Sequence, residues 1–102
     1  MSKGYWIARA RIHDPEAYKA YLAANGEAFK KYGGKFLVRN GSYEALAGEA
    51  WPRNVILEFK DYETAKACFN SPEYQKAIDA RGNSADVEVF IIEGYEGPQP
   101  GA

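Results

Sequence analysis

The chain has 102 residues, with 13 lysines and arginines against 14 aspartates and glutamates, so its net charge is close to zero. This length has room for one domain with one hydrophobic core, and a composition that is 46% hydrophobic and 15% aromatic is typical of a globular protein. The sequence has no cluster of lysines and arginines of the kind that binds nucleic acid. No apolar stretch approaches the roughly 20 residues of a membrane span. The first residues also lack the apolar core of a signal peptide. We therefore expect a soluble, cytoplasmic protein that binds neither nucleic acid nor membranes.

Residues 5–12 predict a strand with two unlike faces. One face is uniformly apolar, whereas the other changes from apolar residues to cationic ones at Arg9. Asp14 and Pro15 then have the composition of a helix N-terminus. Aromatic and apolar residues recur at helical spacing from there until Gly33-Gly34 ends the helix.

Residues 35–39 predict a second strand. Simple alternation places Phe36 and Val38 on one face and Leu37 and Arg39 on the other, so that Arg39 repeats the pattern of the first strand. The segment that follows contains glycine and proline, which disfavour a central strand. It is therefore predicted to be an irregular connection.

Residues 53–59 predict a third strand, after which the helical signal is broken once. Asp61 can cap one helix, and Ser71 with the proline after it has the composition of a second N-terminus. In the second of these helices, Tyr74 and Arg81 are seven residues apart and therefore lie on the same side of the helix. A glycine directly after Arg81 can end this helix.

Residues 86–93 predict a fourth strand, and the order of elements is therefore βαββαβ. This order is the ferredoxin-like α+β arrangement, in which a four-stranded antiparallel sheet carries its helices on one face. We expect a single domain over residues 1–95 and a flexible tail over residues 96–102. The bare sheet face is too apolar to remain in water, so we expect a second copy of the chain to cover it about a two-fold axis.

Charged residues assigned to the open sheet face provide the candidate chemistry. Arg9, Arg39 and Glu58 share that face if the strands alternate regularly. In one interpretation the arginines fix a carboxylate or enolate in a hollow between sheet and helices, with Glu58 or His13 as general base and a tyrosine hydroxyl as donor. In the other interpretation, Arg9 or Arg39 pairs with Glu58 at the subunit interface and only satisfies a buried charge.

The remaining reactive residue types favour structural roles. No histidine pair, cysteine pair or glycine-rich loop has the spacing of a metal or phosphate site, so no metal or other cofactor is expected. His13 lies just before a helix cap, where a solvated residue is favoured over a catalytic base or a haem ligand. Cys68 is assigned to the core. Tyr18, Tyr21 and Tyr32 are also assigned to core packing.

Several short motifs together resemble one known family. They are Gly4-Tyr5-Trp6, Tyr32-Gly33-Gly34, Arg39-x-Gly41, Arg53-Asn54-Val55, Glu58-Phe59, Ser71-Pro72-Glu73-Tyr74-Gln75, Arg81 and Glu93-Gly94. In this combination residues 4–95 are similar to the domain-of-unknown-function 1330 family, which belongs to the dimeric α/β barrel group. That group includes cofactor-free monooxygenases, muconolactone isomerases, polyketide cyclases and haem-degrading enzymes. The resemblance therefore implies the same fold and the same dimer.

The resemblance carries five motif positions over to this chain: Arg39, Arg53, Glu58, Tyr74 and Arg81. Where the family often has Leu-Glu-Gly before the third strand, this chain has Leu46-Ala47-Gly48, which removes a carboxylate. The candidate residues are catalytic Glu58, Arg39 and His13, and ligand-binding Arg9, Arg53, Tyr74 and Arg81. The resemblance itself supplies no reaction. From the arginines and the glutamate on an otherwise apolar sheet face we expect a small-molecule-binding homodimer, in its enzymatic form a cofactor-free isomerase, cyclase or monooxygenase acting on a small acidic or phenolic metabolite. The alternative is a non-catalytic binding or structural dimer whose charges only specify the interface.

Overall fold

A computed structural model describes residues 2–101, so Met1 and Ala102, at the ends of the expected domain and tail, lie outside the described residues. The elements are β1 Gly4–Ile12, α1 Pro15–Tyr32, β2 Lys35–Arg39, β3 Arg53–Phe59, α2 Tyr62–Phe69, α3 Pro72–Arg81 and β4 Ala85–Glu93. This is the predicted ferredoxin-like order, with the second helical segment divided into α2 and α3.

The four strands form one antiparallel sheet in the order β2-β3-β1-β4. β1 therefore lies in the middle, where it pairs with β3 on one side and with β4 on the other. The core cluster combines side chains from one face of this sheet with side chains from the helices. The helices thus cover a single face, and the opposite face of the sheet stays open within the protomer.

Each helix begins at a capping side chain. The side chains of Asp14, Asp61 and Ser71 each accept a hydrogen bond from the backbone amide three residues further on, at 3.2, 2.7 and 3.1 Å. Such bonds satisfy amides that have no partner inside the helix. α1 ends at Gly33, whose φ of 71° lies in the left-handed region that glycine adopts without steric cost.

Trp6 of β1 is the centre of the core. Its side chain is buried, and its indole N–H donates to the carbonyl of Ala65 in α2 at 2.7 Å. Four aromatic rings surround it at centroid distances between 4.9 and 5.7 Å: Phe29, Phe59, Phe69 and Tyr74. Edge-to-face and tilted packing of this kind fixes the helices over the middle of the sheet. Cys68 is also buried, as the sequence predicted.

β2 departs from regular alternation. Two steps along β2, from Phe36 to Val38, correspond to one step along β3, which is the signature of a β-bulge. Because of this bulge, Arg39 lies on the helix-facing side together with Phe36, and its guanidinium carbon is 4.3 Å from the centre of the Phe36 ring. The prediction that placed Arg39 with Leu37 on the open face, and Val38 with Phe36 on the other, is therefore wrong.

The connection between β2 and β3 has neither helix nor strand, as expected, and neither does the segment over residues 94–101. Within that last segment the Tyr95 hydroxyl donates to the Pro98 carbonyl at 2.8 Å, and Ser2 donates to Glu96 at 2.7 Å. The flexibility of the tail stays a prediction. No helix among residues 2–101 combines the length and the apolarity that crossing a membrane requires.

Candidate functional site

A cavity of about 40 Å³ lies between the helix-facing side of the sheet and the helices α1 and α3. Small residues create it, because Ala8 and Ala10 of β1 leave space below the large side chains of α1. Its apolar wall includes Leu22, Phe29, Phe36, Val55, Leu57, Val87 and Val89. Its polar wall includes Tyr18, Tyr21, Asn25, Arg39, Arg53 and Tyr74.

Two tyrosine hydroxyls meet at this cavity. The phenolic oxygens of Tyr21 in α1 and Tyr74 in α3 are 2.6 Å apart, and both side chains are buried. Burial raises the pKa of Tyr74 strongly, and the neighbouring Tyr21 raises it further, whereas the positive charge of Arg81 acts in the opposite direction. The Tyr74 hydroxyl therefore keeps its proton at neutral pH and can act as a hydrogen-bond donor.

Two arginines border the cavity on the side of β2 and β3. The guanidinium carbon of the half-buried Arg53 lies 5.7 Å from the centre of the Tyr18 ring, and the more exposed Arg39 lies over Phe36. None of the ion pairs among residues 2–101 involves Arg39 or Arg53. The helix-facing side of β2 and β3 therefore carries positive charge that no carboxylate of the described chain neutralises.

Arg81, in the last turn of α3, adds a third guanidinium group next to the tyrosines. Its central carbon lies 5.2 Å from the centre of the Tyr21 ring. Its Nη1 atom is shielded from solvent and has no hydrogen-bond partner within residues 2–101. A buried donor without an acceptor costs about 1–3 kcal/mol, so this position favours an added acceptor.

The cavity wall provides donors but no strong base. Among its lining residues the titratable groups are arginines and tyrosines, and there is no carboxylate, imidazole or thiol. Burial raises the pKa of Tyr18, although the charges of Arg53 and Arg81 oppose this shift. In the part of the chain that the structure describes, no three histidine, cysteine, aspartate or glutamate side chains are grouped so that they could hold a metal ion. This arrangement is suited to holding an anion.

Glu58, the first predicted base, lies on the opposite face of the sheet. It accepts a hydrogen bond from the Tyr5 hydroxyl at 3.3 Å and does not line the cavity. Arg9 borders the cavity from its place in β1, but its side chain reaches the open face, where Nε is 2.7 Å from the Glu88 carboxylate. The same guanidinium lies 4.3 Å from the centre of the Trp51 ring. Within the protomer, Arg9 therefore pairs with Glu88 and not with Glu58.

His13, the second predicted base, is exposed at the end of β1. Its Nε2 atom is 3.0 Å from the Asp86 carboxylate, and it does not line the cavity. The structure thus gathers four of the seven predicted site residues at or beside the cavity: Arg39, Arg53, Tyr74 and Arg81. Glu58, His13 and the side chain of Arg9 lie apart from them, and the roles of all seven stay predictions.

Sequence reasoning missed three residues of the cavity wall. Tyr18 and Tyr21 were assigned to core packing, and Asn25 was given no role. These residues follow one helical stripe with polar tips, and the strand beneath that stripe has alanines at alternate positions. Large polar-tipped side chains opposite small ones were the signal that could have identified a cavity.

Comparison with known proteins identifies a family and a fold. The family model described as domain of unknown function DUF1330 matches residues 3–95. No curated protein matches the chain. The family model therefore covers the whole sheet and all three helices.

Solved structures with this fold include proteins with and without a described activity. A protein of unknown function from Rhodopseudomonas palustris has 22% identity and a TM-score of 0.73, with 94% of this chain and 85% of that chain covered. SnoaB, a cofactor-independent oxygenase from Streptomyces nogalater, has 13% identity and a TM-score of 0.60, with 98% and 99% covered. A dimeric ferredoxin-like protein of unknown function from Thermobifida fusca has 15% identity and a TM-score of 0.60, with 90% and 91% covered. At these identities the similarity establishes the fold alone.

Proposed function

The chain belongs to the DUF1330 family, and from that premise we propose that it is a homodimer in which each protomer binds a small organic anion in its cavity. The observation that carries the proposal is the pair of arginines, Arg39 and Arg53, which border the cavity without a carboxylate partner among residues 2–101. A partly desolvated guanidinium is costly without a counter-charge, and planar anions satisfy it with two parallel hydrogen bonds. A ligand carboxylate or enolate supplies that counter-charge.

The enzymatic form of this proposal is cofactor-free chemistry on the bound anion. Isomerases, cyclases and oxygenases of this kind pass through enolate-like anions, which fixed cationic groups and hydroxyl donors stabilise. Arg53 and the Tyr21–Tyr74 hydroxyl pair provide such groups at the cavity. SnoaB, a cofactor-independent oxygenase with the same fold, supports this reaction class.

The dimer half of the proposal rests on the open sheet face. A continuous apolar row crosses all four strands on this face. It consists of residues that lie opposite one another in neighbouring strands: Val38, Ile56, Ile7 and Phe90. Phe90 is 55% exposed in the protomer. An apolar surface of this kind favours a partner, and a second copy about a two-fold axis is the simplest one. The dimeric protein from Thermobifida fusca, which has this fold, supports the same assembly.

A non-catalytic dimer is the second candidate, and one observation favours it. Glu58 and the Arg9–Glu88 pair lie on the open face, where they can set the pairing of two sheets and cannot reach a ligand in the cavity. This reading predicts that the dimer forms without any bound molecule.

Native mass spectrometry of freshly purified protein tests both the dimer and the bound anion. We expect a mass of two chains plus a discrete small molecule, and we expect Arg53→Met to lose that molecule while it keeps the dimer. Lys19→Met is the control, because Lys19 is an exposed cation of α1 that lies 3.1 Å from Glu16, away from the cavity wall and from the open sheet face. A monomer at micromolar concentration would contradict the dimer. If the mass is that of two chains without an adduct, and no acid from a metabolite panel binds saturably, the anion-binding proposal is wrong. The non-catalytic dimer then explains the protein.

A further inference from the structure

The connection between β2 and β3 is long, apolar and exposed. It spans residues 40–52 without helix or strand, and every residue in it except Trp51 is exposed in the protomer. Loops longer than about 12 residues without secondary structure are uncommon in compact domains, and they usually either carry a function or are disordered. Six of these thirteen residues are apolar. A loop of this composition favours a contact that the protomer by itself does not provide.

The loop is held in place at both of its ends. Next to β2, the amide of Asn40 donates to the Asn54 carbonyl at 2.8 Å. Next to β3, the Asn54 side chain donates to the Trp51 carbonyl at 2.9 Å. The centre of the Trp51 ring lies 4.3 Å from the guanidinium carbon of Arg9 and 4.2 Å from that of Arg11. The base of the loop therefore has a defined position on the sheet.

The end of the loop next to β3 lies on the open face. Arg9 and Arg11 project from this face of β1, because they alternate with Ala10, which faces the helices. The Glu49 carboxylate also reaches this face, since it is 3.7 Å from Arg11. Trp51 and Glu49 are therefore on the side of the sheet that carries no helix.

The area that a stable dimer requires brings this loop into contact with a second copy. The apolar row of the open face is four strands long and one residue wide, which is about 19 Å by 7 Å. A stable dimer buries roughly 800 Å² on each partner, so the contact has to extend along the strands on both sides of the row. On one side the next residue of β1 on this face is Arg9, two positions after Ile7, and Trp51 lies against it. A second copy that packs on the row therefore meets Trp51.

We infer that the loop over residues 40–52 is a dimerisation arm, which packs on the second copy through Trp51 and the side chains of Tyr43 and Leu46. Leu46 is 87% exposed in the protomer, and Tyr43 is 53% exposed. Tryptophan, tyrosine and arginine dominate the binding energy of many interfaces, and the arm presents the first two of them beside two arginines. The inference rests on the dimer of the proposed function, since it names a further part of the same interface.

Leu46→Ser tests the arm without disturbing the fold, because the side chain that it replaces is almost fully exposed in the protomer. Fluorescence-detected sedimentation of labelled protein, diluted from micromolar to picomolar concentration, measures the dissociation constant. We expect Leu46→Ser to weaken the dimer by about tenfold or more, because each copy loses one leucine that the dimer buries. Tyr95→Ser is the matched control, since Tyr95 is 69% exposed but follows the end of β4. It should change the dissociation constant by no more than about twofold.

Tryptophan fluorescence of the wild-type protein provides an independent measurement. The chain has two tryptophans, and Trp6 is buried in the core, so the separation of the two copies changes the surroundings of Trp51 alone. We expect the emission maximum to move to longer wavelength as dilution dissociates the dimer, and we expect Trp51→Phe to remove this shift. An emission maximum that stays constant while the dimer dissociates would overturn the inference.

The outcomes separate the arm from the dimer itself. If Leu46→Ser dimerises as tightly as the wild type while Phe90→Lys is a monomer, the arm inference is wrong and the dimer through the sheet face stands. If the wild-type protein is a monomer at micromolar concentration, both are wrong.

Discussion

The hydroxyl oxygens of Tyr21 and Tyr74, 2.6 Å apart, join the two longest helices of the protein directly above the candidate cavity. Tyr74 also packs its ring against Trp6 at a centroid distance of 4.9 Å. Tyr74 of α3 therefore connects the aromatic core, α1 and the cavity wall. A change at this position is expected to affect stability before it affects any ligand.

Tyr74→Phe should lower the free energy of unfolding by about 1–3 kcal/mol, because it leaves the buried Tyr21 hydroxyl without its partner. Urea denaturation measures the change. Tyr43→Phe is the control, since Tyr43 is 53% exposed and should stay within about 0.5 kcal/mol of the wild type. In a double-mutant cycle with Tyr21→Phe, the second substitution should cost much less than the first. Additive losses would show that the two hydroxyls are not coupled.

Phe90→Lys should convert the dimer into a monomer, because it places a charge in the apolar row of the open face. Sedimentation velocity at micromolar concentration measures the result. Tyr95→Lys is the matched control, since Tyr95 is 69% exposed but follows the end of β4, and it should leave the mass unchanged. If Phe90→Lys stays dimeric, the sheets do not pair through this face.

Two glycine-to-alanine substitutions should have opposite effects on stability. At Gly4 a new Cβ would meet the backbone of Asp61 and come within 2.7 Å of the Tyr62 Cα, so a loss of about 1–3 kcal/mol is expected. At Gly26, inside α1, nothing lies within 4 Å, so alanine should stabilise the protein by about 0.5–1 kcal/mol. Thermal unfolding of both variants provides the measurement. If Gly4→Ala is as stable as the wild type, the start of α2 does not pack closely against the start of β1.

Alkaline pH should weaken the contribution of Cys68 to stability. Burial raises the pKa of its thiol from 9.0 to about 12. Below pH 9 the thiol is neutral in both the folded and the unfolded chain, so its contribution is fully present. As the pH rises from 9 towards 12, only the unfolded chain loses the proton, and the free energy of unfolding falls.

Cys68→Ala measures that contribution separately from the tyrosines. The difference in unfolding free energy between wild type and variant should be constant from pH 7 to 8.5 and should shrink above pH 9. Its slope should approach about 1.4 kcal/mol per pH unit. A difference that stays constant to pH 10.5 would contradict the buried, protonated thiol.

The fold could be predicted from the sequence because each element has its own local signal. Capping residues such as Asp14 and Asp61 mark helix starts, and alternation marks the strands, so the boundaries of β3 and of the broken helix agree with the structure. These signals depend only on neighbours in the chain. The order of elements then leaves few topologies to choose from.

The candidate site was predictable only in part, because it depends on register and on packing between distant segments. One inserted residue in β2 moved Arg39 to the other face, and no local signal distinguishes that bulge from a regular strand. Tyr18 and Tyr21 have the spacing of core residues, and only the alanines of β1 opposite them turn that stripe into a cavity wall. Glu58 was correctly assigned to the open face, but its distance from the cavity required the three-dimensional arrangement.

The central place of β1 sets the order in which the chain can fold. Residues 4–12 leave the ribosome before β3 and β4 are made, yet they lie between these two later strands in the sheet. A nascent or truncated chain that stops before residue 85 exposes one whole edge of its middle strand, which is a template for aggregation. Because β1 pairs with a strand so distant in sequence, the complete sheet forms only after translation of β4, and folding is expected to be slower than in a helical protein of the same length.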